Sequence, residues 1–330
     1  MTETRSVIGV DIGGTKIAAG TVGPTGEIHH RVRTPMFSND GAAAGLAAVK
    51  SAIDGVIAES TKNEGTASTP AAIGICAPGP LDPINGVVLN PPNVLCWRNF
   101  PLAAEVSRIF NVPVKVENDA NAAALAETIW GAGRGFQNVF YATIGTGIGA
   151  GIVMGGRIYN GRTGAAAEGG HMSIDYRGPL CGCGKPGCIE VLASGHAIAR
   201  RARAKVAADP ARGSALLKLA GGNIGAISGH MIGEAFSAGD AIARETLMET
   251  VDLLAIWLSN VVDLLEPDVL IIGGGASLLL RPLFGDIHRR LCEFSIIQRC
   301  REIPLVPAFY GEEAGIAGAG ALFAGTPVGP

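Results

Sequence analysis

The sequence predicts an α/β protein built from two related halves, and three observations carry this. Apolar strand segments alternate with helical ones after an opening run of three short strands. The stretch "DIGGTKIAAGTV" (Asp11–Val22) lines up with "TIGTGIGAGIVM" (Thr143–Met154), and each copy reads strand, glycine-rich turn, strand. Finally, 48% of the 330 residues are hydrophobic and only 17% charged, enough apolar matter for a sizeable core. Two halves that each begin with such a hairpin imply a cleft between them, where ligand sites tend to form.

Three strands are expected first, at Ser6–Val10, Lys16–Val22 and Glu27–Arg33, with "GPTG" (Gly23–Gly26) as the tight turn between the second and third. Ala42–Glu59 has helical spacing, Ala71–Cys76 is a buried-type strand running into "APGP", and Val112–Val116 is another strand. Asn118–Trp130 is predicted as a helix opened by a polar cap at Asn118 or Asp119. After the second glycine hairpin, helices are expected at Ile189–Ala208, about Asp240–Leu265 and near Arg281–Cys292. A strand at Asp268–Ile272 leads into "GGGAS" (Gly273–Ser277), and a strand near Ile303–Val306 and a helix near Glu312–Phe323 complete the order. The long helix at Asp240–Leu265 fits either a buried core element or a dimer surface.

A net charge of −3 provides no broad basic field, so neither nucleic acid nor an anionic membrane is an expected partner. No apolar run reaches membrane-spanning length and "MTETRSVIGVDIGG" does not read as a signal peptide, so a cytoplasmic location is expected. Of seven cysteines, Cys76, Cys96, Cys292 and Cys300 are scattered and expected to be plain core or near-surface thiols.

The chemistry concentrates in a few motifs. A strand–Gly–Gly–Thr–strand hairpin exposes backbone N–H groups where no Cβ blocks approach, which makes a phosphate cradle or simply a hairpin. Asp11 in the first copy is replaced by Thr143 in the second, and one carboxylate beside phosphates suits a hydrated Mg²⁺. Gly273, Gly274 and Gly275 would take a nucleoside or shape a corner; they lack the G-x-G-x-x-G spacing of a dinucleotide fold. Asn118 and Asp119, at a strand end, read either as helix caps or as a general base facing a ligand.

The stretch "EGGHMSIDYRGPLCGCGKPGCIE" (Glu168–Glu190) holds His171, Cys181, Cys183 and Cys188 in the spacing H-x9-C-x-C-x4-C. One histidine and three cysteines make a closed tetrahedral Zn²⁺ set, structural rather than catalytic because no position stays open for water. Plain core thiols, or a disulfide leaving one thiol over, are the other readings. A zinc deaminase would require a glutamate two residues after the histidine, where "HMS" has serine.

"DIGGTK", "ENDANAAALAE", "GTGIGAG", "EGGH" and "CGCGKPGCIE", in that order, resemble the ROK family (repressors, open reading frames and sugar kinases) from about Val7 to Ala324. The resemblance implies the two-domain fold of the actin-like ATPases. Residues 1–120 would form a small α/β domain completed by the C-terminal helix at about 311–330, and 121–310 a large domain carrying the zinc loop. It implies ATP-dependent phosphorylation of a hexose or N-acyl hexosamine. Glucose at the 6-hydroxyl comes first; N-acetylglucosamine, N-acetylmannosamine and fructose stay open as acceptors, and polyphosphate as donor. Asp119 matches the catalytic base, Asn118 a sugar contact, and Glu168, His171 and Glu190 the positions that bind sugar hydroxyls. His171, Cys181, Cys183 and Cys188 match the zinc ligands. Asp11, Gly13, Gly14, Thr15 and Lys16 match the first phosphate loop, with Mg²⁺ held near Asp11; Thr146, Gly147 and Gly149 match the second, and Gly273–Gly275 the nucleoside side.

A homodimer is implied as well. Family repressors carry a DNA-binding domain before the first glycine turn, and here that turn starts at Asp11. A sugar sensor without catalysis is the rival from another class, although it would need neither Asp119 nor both phosphate turns. An acetate-type or polyol kinase would lack the cysteine cluster.

Overall fold

Alternating apolar residues at the start of the chain form β1 (Val7–Ile12), which turns through Gly13–Thr15 into β2 (Lys16–Val22) and then β3 (Ile28–Pro35). The computed structural model describes residues 6–64 and 69–324. β1 pairs antiparallel with β2, with Ile12 opposite Ile17, so the hairpin is as tight as the sequence suggests. The chain continues through α1 (Ala42–Glu64), β4 (Ala72–Ala77), the small hairpin β5 (Leu81–Asp82) and β6 (Val87–Val88), α2 (Leu102–Phe110), β7 (Val114–Asn118) and α3 (Asp119–Ile129). The five-stranded sheet has the order β3-β2-β1-β4-β7, with β4 parallel to both β1 and β7.

The chain then runs through β8 (Val139–Ile144), β9 (Ile148–Met154), β10 (Arg157–Ile158), α4 (Ile189–Ala193), α5 (Gly195–Ala208), α6 (Ser214–Leu219), α7 (Gly229–Ser237) and α8 (Ala241–Leu265). It ends in β11 (Val269–Gly273), α9 (Ser277–Leu280), α10 (Phe284–Phe294), β12 (Leu305–Pro307) and α11 (Ala314–Ala321). The second sheet has the order β10-β9-β8-β11-β12.

The chain divides into two units. The first holds Met1–Tyr141, Gly151–Ala167 and Phe309–Pro330; the second holds Ala142–Ala150 and Glu168–Ala308. The division therefore falls beyond α3, not before it at residue 120, and the reason is close backbone packing. Gly318 of α11 lies against the Ala122–Ala123 backbone of α3, where a Cβ would sit 2.5 Å from the Ala122 carbonyl carbon. Helix α11, "AGIAGAGA", can approach this closely because almost every residue is small. On the sheet side a Cβ at Gly74 of β4 would overlap the Ala319 carbonyl oxygen. On the opposite face Val49, Ile53 and Val56 of α1 pack with Ile8, Val10 and Ile17 into one apolar cluster, joined by Trp97, which stacks on Phe100.

In the second unit α8 is the central helix. Leu247, Val251, Leu254, Trp257, Leu258 and Val261 are all buried, so of the two readings of this helix the core one holds. Asp240 caps it by accepting from Ala243 N–H at 2.8 Å.

The predicted helix Ile189–Ala208 is two helices, broken at Ser194. Ser194 takes an extended ψ of 164° and its hydroxyl accepts the Ala197 N–H, ending one helix and capping the next. Helices α2, α6 and α7 and the hairpin β5–β6 went unpredicted. Cys292 and Cys300 are not scattered thiols: the chain folds back after α10, bringing their Cα atoms within 5.6 Å, and they are joined as a disulfide.

Replacing Gly74 by valine should overpack the contact with the Ala319 backbone and cost on the order of 3 kcal/mol. Thermal denaturation of the purified variant checks this; an unchanged midpoint would contradict the packing described.

Candidate active site and metal centre

The first unit supplies a glycine turn and two acidic positions. Within the turn Gly13 N–H donates to the Lys16 carbonyl at 2.9 Å, Met36 N–H donates to the Thr15 carbonyl at 3.0 Å, and the Ser38 hydroxyl donates to the Gly14 carbonyl. A Cβ at Gly14 would lie 2.6 Å from the Asn93 carbonyl oxygen, so the loop after "PPN" leans directly on the turn. Thr15 and Lys16 are exposed at its tip.

Asp11 lies on β1 opposite Cys76 of β4. Burial raises its pKa, while the Cys76 thiol, 3.4 Å from Oδ1, and the Lys16 charge pull it down. Gly315 leaves the room this carboxylate occupies. A carboxylate so desolvated, with a weak thiol donor on one oxygen, fits a hard divalent cation better than it fits isolation.

At the β7–α3 junction the helix-cap reading of "ENDA" holds for one of its two candidate residues. Asn118 is the helix cap: its Oδ1 accepts from Ala120 N–H at 3.0 Å and Asn121 N–H at 3.3 Å. Its Nδ2 hydrogens take no part in the cap. Asp119 is the first residue of α3, is exposed, and has Oδ1 2.8 Å from Ala120 N.

The junction rests on a residue the sequence reading missed. Glu117 is 4% exposed; it accepts from Asn118 N–H at 2.8 Å and from the side-chain amides of Asn121 (3.3 Å) and Asn160 (2.9 Å). Asn121 also donates to Asn160 Oδ1 at 3.1 Å, closing a buried ring of hydrogen bonds. Glu127, fully buried, was missed too: it accepts from the N–H groups of Ala132, Phe309 and Tyr310 and so pins the chain where it enters α11. Both acids were visible in the motif as letters, but their partners come from distant segments.

The second unit supplies the other turn and the metal cluster. Gly145 N–H donates to the Gly147 carbonyl at 2.9 Å. Gly195 N–H donates to the Gly145 carbonyl, and Ala276 N–H to the Ile144 carbonyl, both at 2.8 Å. Gly274, at φ +83°, lies so close to Ile144 that only glycine fits. The structure thus brings Gly274 against the end of β8, the strand that leads into the Thr146–Gly149 turn.

His171, Cys181, Cys183 and Cys188 place their ligand atoms all within 4.8 Å of one another. Cys181 Sγ is 3.7 Å from His171 Nδ1, and the sulfurs of Cys183 and Cys188 are 3.6 Å apart. Zn–S bonds of about 2.3 Å at tetrahedral angles give S···S edges of about 3.8 Å, so the set fits Zn²⁺. Burial and the neighbouring sulfurs push the Cys188 thiol up to about 12, which a bound dication would reverse. With Nδ1 turned to the sulfurs, the other ring nitrogen of His171 is left to face a ligand.

Of the flanking glutamates, Glu168 is exposed. Glu190 is partly buried, and its Oε2 accepts from Ile148 N–H at 3.0 Å. The Gly169 carbonyl between them accepts from the buried Trp257 indole N–H at 3.1 Å.

The comparisons with known proteins agree with these motifs. The ROK family model matches residues 7–326. Glucokinase from Streptomyces coelicolor is 37% identical over 322 residues, covering 96% of each chain. N-acetylmannosamine kinase from Shigella flexneri is 30% identical over 323 residues, 97% of this chain and 99% of that one. A crystal structure of a ROK family glucokinase from Streptomyces griseus, in complex with glucose and AMPPNP, matches with a TM-score of 0.78 at 37% identity, covering 96% of this chain and 98% of that one. The fold is accordingly the α/β fold of the actin-like ATPases. Since the match starts at the first strand and continues past the last helix, it is not confined to one motif: the chain belongs to the ROK family.

Proposed function

We propose that the chain is an ATP-dependent hexose kinase that phosphorylates glucose at the 6-hydroxyl. The strongest support is the exposed Asp119 carboxylate at a braced strand-to-helix junction, in a chain 37% identical to a glucokinase over 96% of its length. Phosphoryl transfer demands positioning and charge stabilisation more than covalent chemistry, so a few well-held groups suffice. Asp119 accepts the proton of the attacking hydroxyl as the γ-phosphoryl group moves. Asn118, with Oδ1 committed to the helix cap, turns its Nδ2 hydrogens to a sugar oxygen. Glu168 and Glu190 accept hydrogen bonds from sugar hydroxyls, and His171 donates one from its outer ring nitrogen. The N–H groups of Gly13–Lys16 and of Thr146–Gly149 take phosphate oxygens, and Gly273–Gly275 the nucleoside.

Asp11 would hold Mg²⁺, which when bound neutralises charge on the transferring phosphates. His171, Cys181, Cys183 and Cys188 would hold Zn²⁺, whose contribution is to fix the loop that presents both glutamates. The 30% identity to an N-acetylmannosamine kinase keeps an N-acyl hexosamine as the second reading of the acceptor. A homodimer rests on family resemblance, because α8 spends its apolar residues on the core. No helix among the described residues is long and apolar enough to cross a membrane.

A coupled assay of ADP release from MgATP tests this across glucose, fructose, mannose and the two N-acetylhexosamines. Glucose should be the best acceptor, and release that ignores every sugar would overturn the reading. Asp119→Asn should lower kcat by about 10²–10⁴-fold while glucose Kd moves little, since general base catalysis contributes that much. Near-normal turnover in this variant would rule Asp119 out as the base. Chelating the zinc should lower thermal stability and glucose affinity together; a metal-free preparation that binds glucose normally would contradict the bracing role.

A further inference from the structure

Ile148, the residue that closes the second glycine turn, is met by the metal loop at both its N–H and its carbonyl. Its N–H donates to Glu190 Oε2 at 3.0 Å. Its carbonyl oxygen lies against Gly170, at a spacing that would leave no room for a Cβ there. Gly147, next to it, lacks the Cβ that would stand 2.4 Å from the same Glu190 oxygen, a flexible atom that any side chain would push aside.

Each contact traces back to a metal ligand. Gly170 precedes His171. Glu190 follows Cys188 by two residues, and the intervening Ile189 is fully buried with its N–H donating to the Met172 carbonyl at 2.9 Å. The other oxygen of Glu190 lies 3.9 Å from both His171 Nδ1 and Cys181 Sγ, too far for it to be a ligand itself. Glu190 therefore stands between the cluster and the turn, with one oxygen directed to each.

We propose that Glu190 is a positioning residue that couples the metal loop to the second phosphate turn, so that nucleotide affinity as well as sugar affinity depends on the bound metal. The inference rests on the reading of Thr146–Gly149 as a phosphate turn and of the His–Cys set as a zinc site. Its physical content is a coupling free energy: metal fixes Cys188 and His171, these fix Glu190 and Gly170, and both hold the Ile148 peptide. A glutamine at position 190 can still accept the Ile148 N–H through its amide oxygen, whereas an alanine cannot. The two substitutions thus separate the strut from the negative charge.

The test is calorimetric titration of Mg-AMPPNP, without sugar, into full-length protein carrying one zinc per chain. Glu190→Ala should weaken binding about tenfold, roughly the worth of one buried hydrogen bond, while Glu190→Gln stays within about threefold of wild type. Glucose affinity should fall in both variants, because the sugar needs the carboxylate. Removing zinc from the wild type should weaken Mg-AMPPNP by a similar factor, and doing so in Glu190→Ala should add much less than the two separate losses predict. Wild-type nucleotide affinity in Glu190→Ala, equal losses in the alanine and glutamine variants, or fully additive losses would overturn the coupling while leaving the kinase reading in place. A wild-type protein that does not bind Mg-AMPPNP at all would overturn both.

Discussion

The second unit depends on how a loop with almost no core of its own is held. Between Glu168 and Glu190 Tyr176 and Leu180 face outward, 74% and 73% exposed, and of the large apolar side chains only Ile189, at the start of α4, is fully buried. Burial therefore offers little to offset the entropy of ordering a glycine-rich segment. What holds it is local and polar: four ligand atoms within 4.8 Å, short backbone links such as Cys181 N–H to the Lys185 carbonyl, and the Trp257 indole on the Gly169 carbonyl. The two glycines of "EGGH" belong to the same solution, since Gly169 exposes a carbonyl to Trp257 and Gly170 lets the loop touch Ile148. A dication on this set would replace repulsion between thiolates by bonds and would make the loop a rigid part.

The acids sort by burial. Glu117 and Glu127 are withdrawn from water and satisfied by N–H donors; they hold the β7–α3 junction and the entry to α11. Asp119 and Glu168 are exposed, where a carboxylate can meet a ligand. Asp11 and Glu190 lie between these classes. Each has one oxygen engaged, by Cys76 and by Ile148 respectively, and each sits beside residues proposed to contact phosphate. Position in the sequence does not separate these groups, but solvation does.

Much of the fold was legible because its signals are local. Strand alternation, the glycine hairpins at Gly13 and Gly147 and the caps at Asn118 and Asp240 all lie within a few residues of what they determine. The candidate site was legible where motif spacing is tight, as in the His171–Cys188 cluster. The rest depends on chain segments meeting in space. Glu117 looked like an ordinary strand residue until Asn160 arrived beside it, and Glu190 gave no hint of its bond to Ile148. The Ser194 break hid inside a helical pattern, because a serine cap and a serine in mid-helix look alike without their hydrogen bonds. The Cys292–Cys300 pairing needed the fold-back after α10, which composition cannot report.

The most direct measurement is hydrogen exchange by mass spectrometry on zinc-loaded and zinc-stripped protein, following peptides that cover 145–150, 168–190 and the β1–β2 hairpin. If metal, Glu190 and Ile148 form one mechanical chain, stripping zinc will raise exchange in 168–190 and in 145–150 together and leave the β1–β2 hairpin protected. Unchanged exchange in 145–150, with 168–190 already mobile, would show that the metal loop and the glycine turn behave independently.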